Sequence, residues 1–222
     1  MKYSLINKNL VLKTAVLTAL LFPNLTNLSF AQEYNGESMP EDAIPGWVPR
    51  EKNGLRMENG SLIAELPAEQ RSFYALGSTS QGKALGKNPE AWPKEIENSF
   101  VEFKVEGKAD HSETEFFMVR ATRADQKGWA VKFFPGSIQV LRKNNRFSID
   151  TSKPDVYRME FVNGRMTFSG LNAGVIAENV DPSPMDHNAI YFGSMTRDNK
   201  SGGSMSWKLN FIRWGQKDQI TP

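Results

Sequence analysis

The 222-residue sequence contains no cysteine, which excludes disulfides, thiolate metal ligands, thiol nucleophiles and a lipid-modified cysteine behind a leader. Histidine is almost as scarce, at two residues, His111 and His187. No run approaches the ~18 apolar residues of a membrane-spanning helix. There is no Gly-x-Ser-x-Gly elbow, no His-Glu-x-x-His and no phosphate loop. Internal repeats and low-complexity tracts are also missing, and no composition shift marks a second domain.

The N-terminus does carry a pattern. "MKYSLINKNLVLKTAVLTALLFPNLTNLSFAQ" places lysines at 2, 8 and 13 ahead of an apolar run from Ala15 to Phe22 and a small-x-small signal at Ser29-Phe30-Ala31. This is the arrangement of a secretory signal peptide over residues 1–31, with a single mature domain expected over 32–222 and a periplasmic or secreted location. Three of the 27 basic residues and none of the 25 acidic ones precede Gln32. The remainder therefore carries 24 basic against 25 acidic residues, a net of −1. The overall pI near 8.7 is thus no argument for nucleic acid or a membrane surface as partner.

From Gln32 to about Arg56 the chain is turn-rich, with prolines 40, 45 and 49 and Trp47 as its strong anchor. Strand signals then recur at short intervals: 61–66, 71–76, 99–106, 114–122, 128–134, 137–142, 146–150, 156–162, 165–169, 174–178, 189–194 and 205–214. Asn163-Gly164, between two alternating runs, predicts a type I′ hairpin. Only "NPEAWPKEIE", near 88–97, suggests a short helix. About a dozen short alternating strands without a sustained helical period predict an all-β fold, an antiparallel two-sheet β-sandwich of the jelly-roll kind.

Several segments carry a resemblance: "GSLIAEL", "SFVEFKVEG", the hairpin "GWAVKFFPGSIQVLR", "DVYRMEFVNGRMTFSGLN" and the closing "SWKLNFIRW". In that order, over roughly residues 57–214, they resemble the concanavalin A-like, or laminin-G-like, jelly-roll family. The resemblance implies a bent sandwich whose concave face or rim meets carbohydrate. The β-glucanases of this fold carry Glu-x-Asp-x-x-Glu on one strand, and no such triplet occurs here; the acids of "EIENSFVE", at 95, 97 and 102, do not share a strand face. Hydrolysis by paired carboxylates is therefore not indicated. The Arg-rich, Gln-x-His and Tyr-x-Lys-x-Gly-x-Tyr elements of jelly-roll alginate lyases are not present intact either.

What remains is a set of polar residues inside strands. In "HSETEFFMVRATR" strict alternation sets Phe117, Val119 and Ala121 on one face and Phe116, Met118 and Arg120 on the other. Lys132, Gln139 and Arg158 alternate with apolar neighbours in the same way. A face collecting two arginines, a lysine and a glutamine is either ordinary solvated surface or a clamp for carboxylate or sulfate. His187 precedes Tyr191 by four residues in a loop feeding a strand, and a histidine with a tyrosine can move a proton beside a carboxylate. His111 is a spare candidate.

This set suits β-elimination on a uronic acid, which needs the carboxylate charge offset and a base and acid in place, with no metal, cofactor or nucleophile. The chain resembles the small exported jelly rolls that accompany lyases in bacterial systems for acidic algal polysaccharides such as ulvan, the oligosaccharide dehydratase type among them. The expected partner is then an acidic oligosaccharide, with Arg120, Lys132, Gln139 and Arg158 binding it and His187, Tyr191 and His111 in proton transfer. Two alternatives stay open. One is a non-catalytic carbohydrate-binding module whose Trp47, Trp92 and Trp214 stack on sugar rings; the other is an adhesion module with structural calcium at Asp181, Asp186 and Asp198.

Overall fold

A computed structural model describes residues 31–143, 146–195 and 203–217. The leader-like segment 1–30 lies outside the described residues. The strands are, in chain order, β1 (Gln32–Tyr34), β2 (Val48–Lys52), β3 (Leu55–Met57), β4 (Leu62–Leu66), β5 (Ser72–Ser78) and β6 (Ala84–Leu85). They continue with β7 (Ser99–Ala109), β8 (Phe117–Thr122), β9 (Lys127–Phe134), β10 (Ser137–Val140), β11 (Arg146–Ser148) and β12 (Asp155–Val162). The last are β13 (Arg165–Gly170), β14 (Gly174–Val180), β15 (Ser183–Pro184), β16 (Asn188–Ser194) and β17 (Met205–Gln216).

All described pairings are antiparallel, in two sheets. The first runs β14-β13-β12-β7-β17-β4-β3, with β1 on β17; the second runs β11-β10-β9-β8-β16-β5-β2, with β15 on β9 and β6 on β5. Hairpin neighbours such as β12–β13 and β8–β9 alternate with long-range ones such as β7–β17 and β8–β16, a mixture that fits a jelly roll. The expected sandwich is therefore observed. Each strand found from alternation is present within a few residues of its expected ends. β1, β2, β3, β6 and β15 are too short, or too rich in proline and charge, to show a period. The helix expected near 88–97 is only a 3₁₀ turn, Pro89–Ala91. Prolines 89 and 93 bracket that turn and prevent a longer run.

The core forms where alternation meets between the sheets. In β12 Tyr157, Met159 and Phe161 are buried while Val156, Arg158, Glu160 and Val162 are only half-buried. β17 begins on the same period with Trp207 and Leu209, then a bulge between Leu209 and Phe211 shifts the register. An extra residue reverses strand parity, so Ile212 and Trp214 also face inward. Asn163 and Gly164 adopt φ of 52° and 69° at the β12–β13 hairpin, the left-handed values that an Asn-Gly turn accepts at low cost.

All five tryptophans are buried. Trp47 anchors the turn-rich segment as expected, edge-on to Phe192 at 4.8 Å and to Trp214 at 5.3 Å. The indole N–H groups of Trp92 and Trp214 donate to the Thr122 and Ala91 carbonyls, each at 2.8 Å. Trp47, Trp92 and Trp214 are consequently core residues that no sugar ring can stack on. Tyr157 is likewise a core aromatic, but its hydroxyl has no hydrogen-bond partner among the described residues.

Candidate functional site

The outer faces of β8, β9 and β16 bring most of the expected site together. Register places Tyr191 beside Arg120 and Arg120 beside Ala130 in one cross-strand row. In the next row Gly193, Met118, Lys132, Gln139 and Arg146 follow one another across β16, β8, β9, β10 and β11. Gly193, at φ +120°, holds its place because a Cβ there would sit 2.4 Å from the Ser72 carbonyl oxygen.

Met118, Arg120, Ala130 and Lys132 floor a groove of about 420 Å³, walled by Gln126, Leu141 and the segment Pro184-Met185-Asp186. That size lies within the range of small-ligand sites, roughly 300–1,000 Å³. The wall is tied down at two points: β15 pairs with the start of β9, and the Met185 amide donates to the Gln126 carbonyl at 2.8 Å. Arg142 Nε adds a bond to Ser183 Oγ at 2.9 Å.

Arg120 is the centre of this arrangement. One guanidinium nitrogen donates to the Asp186 carbonyl at 2.6 Å, and its Cζ stands 5.3 Å from the centre of the Tyr191 ring. No carboxylate forms an ion pair with it among the described residues, and its Nε–H is buried without a partner. Burial lowers its pKa below the usual 12.5 against the opposing pull of Tyr191 and Asp186, yet an arginine keeps its charge under such a shift. Lys132 differs: its Nζ sits 2.9 Å from the buried carboxylate of Glu115.

His187 adopts a left-handed backbone, φ 75°, which swings its ring to 6.3 Å from the Tyr191 ring. Its Nδ1 accepts the Ser80 amide at 3.2 Å. A ring nitrogen that accepts carries no proton, so neutral His187 is the Nε2–H tautomer and presents a donor. Burial, then Arg120, depress its pKa below 6.5. Tyr191 is buried on the outer face under Val48, Phe73 and Leu85, and burial raises its pKa above 10, with Arg120 and then Arg50 opposing.

Three expectations are corrected. Arg158 is not in this site: it lies on the outer face of the first sheet, 3.4 Å from Glu102, 3.5 Å from Glu160 and over the Phe100 ring. Its strand has the right parity but belongs to the other sheet. His111 lies before β8, whereas His187 adjoins the far end of that strand through β16. It neighbours Asp110 and Gly203 and takes no part in the groove. Phe116 does not accompany Arg120 outward. Regular alternation starts only at Phe117, and the Phe116 ring turns into the core over Gly107, where a Cβ would be 2.3 Å from it.

Other residues at the groove went unforeseen. Glu115 and Gln126 precede strands and follow no period, so only the fold reveals them; Asp186 was foreseen only as a calcium ligand. Asp181 instead pairs with Arg165 at 3.3 Å, and Asp198 lies outside the described residues. Among the described residues no three metal-capable groups cluster. The acids of "EIENSFVE" are scattered: Glu97 caps the Asn163-Gly164 turn and Glu102 serves Arg158 and Arg213. No helix among the described residues is long and apolar enough to cross a membrane.

No protein-family model and no curated protein matches the chain. Solved structures do match in shape. The Crh5 transglycosylase superposes with a TM-score of 0.59 at 9% identity, covering 85% of each chain. A prokaryotic β-1,3-1,4-glucanase (lichenase) from a mouse hindgut metagenome gives 0.54 at 6% identity, over 83% of this chain and 98% of its own. The Bacillus licheniformis β-glucanase gives 0.52 at 7%, over 85% and 99%. At such identities the likeness establishes a shared β-sandwich fold.

Proposed function

We propose that the protein is an exported carbohydrate-active eliminase that takes uronic-acid-containing oligosaccharides in the groove of the second sheet. One observation carries this reading: Arg120 is a largely desolvated cation with a free donor and no carboxylate partner among the described residues, in a groove of ligand size. A buried donor left unpaired costs ~1–3 kcal/mol, so the protein itself leaves the guanidinium incompletely satisfied, and a bound carboxylate meets it from the groove that it lines. Support for a sugar ligand comes from the fold shared with the glucanases and the transglycosylase, and from the resemblance to concanavalin A-like jelly rolls of the ulvan dehydratase type.

In this mechanism Arg120 holds the substrate carboxylate, with Gln139 and the remaining N–H bonds of Lys132 alongside. Neutral His187 donates Nε2–H to the carboxylate, stabilising the charge that develops there when the C5 proton leaves. Tyr191, as phenolate, takes that proton; the C5 electrons form the C4–C5 double bond and the C4–O bond breaks. Tyr191 then returns the proton to the leaving oxygen, so the balance closes without a cofactor. A departing hydroxyl makes the reaction a dehydration, a departing sugar a lyase cleavage.

Binding without turnover is the second reading, and a specific observation favours it: at neutral pH His187 presents a donor and Tyr191 is protonated, so neither is a ready base. The two readings separate in one assay. Incubating residues 32–222 with uronate-ended oligosaccharides should raise ultraviolet absorbance from a conjugated double bond, with loss of water or chain scission by mass. Because burial raises the Tyr191 pKa, the rate should climb with pH through the alkaline range. No absorbance change at any pH, with binding still detectable by calorimetry, leaves the binding module.

A further inference from the structure

The charges that line the groove nearly cancel. Lys132 is neutralised by Glu115, and Asp186 on the wall offsets Arg120. A surface with no net field attracts an anion poorly. Outside the groove, Arg50 is a further cation that no acid pairs with among the described residues.

Arg50 occupies the bulge of β2, between Pro49, which is opposite Tyr74, and Glu51, which is opposite Phe73. Tyr74 points into the core, while Phe73 joins Tyr191 and Val48 in the outer-face cluster. A bulge sets two consecutive residues against one on the partner strand, so Arg50 and Glu51 share the Phe73 side. Its neighbours are engaged, Glu51 by Arg71 and Lys52 by Glu41. Arg50 is exposed and has no ion pair or hydrogen bond through its side chain among the described residues. Its charge acts on His187 and Tyr191, as that of Arg120 does, and β2 lies on the opposite side of β16 from β8.

We propose that Arg50 is a second anion subsite, so that the preferred ligand is an acidic oligosaccharide with two anionic groups, one at Arg120 and one at Arg50, astride His187 and Tyr191. β2 and β8 are separated by three strand spacings, about 14 Å. A monosaccharide does not bridge that span and a short oligosaccharide does. The inference rests on the acidic-sugar reading above and adds to it a requirement on substrate charge pattern.

The test is calorimetric titration of wild type, Arg50→Gln and Arg120→Gln with a uronate-ended trisaccharide, bearing or lacking a sulfate ester on its far unit. Wild type should bind the sulfated ligand about fivefold more tightly, in keeping with one exposed charge-assisted contact. Arg50→Gln should remove that preference while leaving affinity for the unsulfated ligand unchanged, and Arg120→Gln should weaken both. Retention of the preference in Arg50→Gln, or its absence in a wild type that binds both ligands, would overturn the second subsite. A wild type that binds neither ligand would instead overturn the acidic-sugar reading, and the subsite with it.

Discussion

The two outer faces of the sandwich both pair most of their cations with acids, and they part at one residue, Arg120. On the first sheet, cations are matched to acids across strands: Glu102 takes both Arg158 and Arg213, Glu160 takes Lys217, Glu106 takes Lys208 and Glu65 takes Arg56. On the second sheet, Arg120 is sunk beside Tyr191 without an acid of its own, and its anchoring bond goes to a backbone carbonyl. Matched, half-exposed charges suit a solvated surface and contribute modestly to stability. An unmatched, desolvated charge costs folding energy, which is the kind of local cost found where a ligand completes the structure.

That contrast can be broken from either side. The largest effect is expected for Tyr191→Phe, which keeps the ring under Arg120 and removes the hydroxyl: turnover should fall roughly a thousandfold with ligand affinity within about twofold, measured by single-turnover rates and calorimetry. Next, Arg120→Gln should weaken binding of a uronate oligosaccharide about a hundredfold and leave the melting temperature nearly unchanged, since no ion pair among the described residues is broken and the lost bond to the Asp186 carbonyl is offset by removal of a desolvated charge. Glu102→Gln on the opposite face should do the reverse. It removes the negative charge that Arg158 and Arg213 share and one of its two acceptor oxygens, costing on the order of 2 kcal/mol in denaturant unfolding with no change in affinity. The smallest effect belongs to Arg56→Ala, where exposed pairs with Glu58 and Glu65 are lost and the melting temperature should not move measurably.

The contrast was half visible in the sequence. Alternation put Arg120, Lys132 and Gln139 each on the side away from the core, and register then joined their strands on one face. For Arg158 the same alternation was correct and the conclusion wrong, because parity says which way a side chain points and nothing about which sheet its strand enters. Phe116 shows where the rule stops, one residue outside the regular strand. Glu115, which turns Lys132 from a point charge into half of a pair, sits in an irregular stretch with no period to read. His187 was found through its closeness to Tyr191 in sequence. Its role changed once the Ser80 amide, 107 residues away, was seen to occupy Nδ1. The stacking that the binding-module alternative gave to Trp47, Trp92 and Trp214 fails for a related reason, since composition cannot distinguish an aromatic that binds sugar from one that fills a core.

The most direct test compares wild type, Arg120→Gln and Glu102→Gln in one ultraviolet assay on uronate-ended oligosaccharides, with product masses recorded. A double bond formed by wild type and Glu102→Gln but not by Arg120→Gln is the expected result. Equal rates in all three, or loss of activity in Glu102→Gln with Arg120→Gln unaffected, would contradict the assignment of the acidic-sugar site to the outer face of the second sheet.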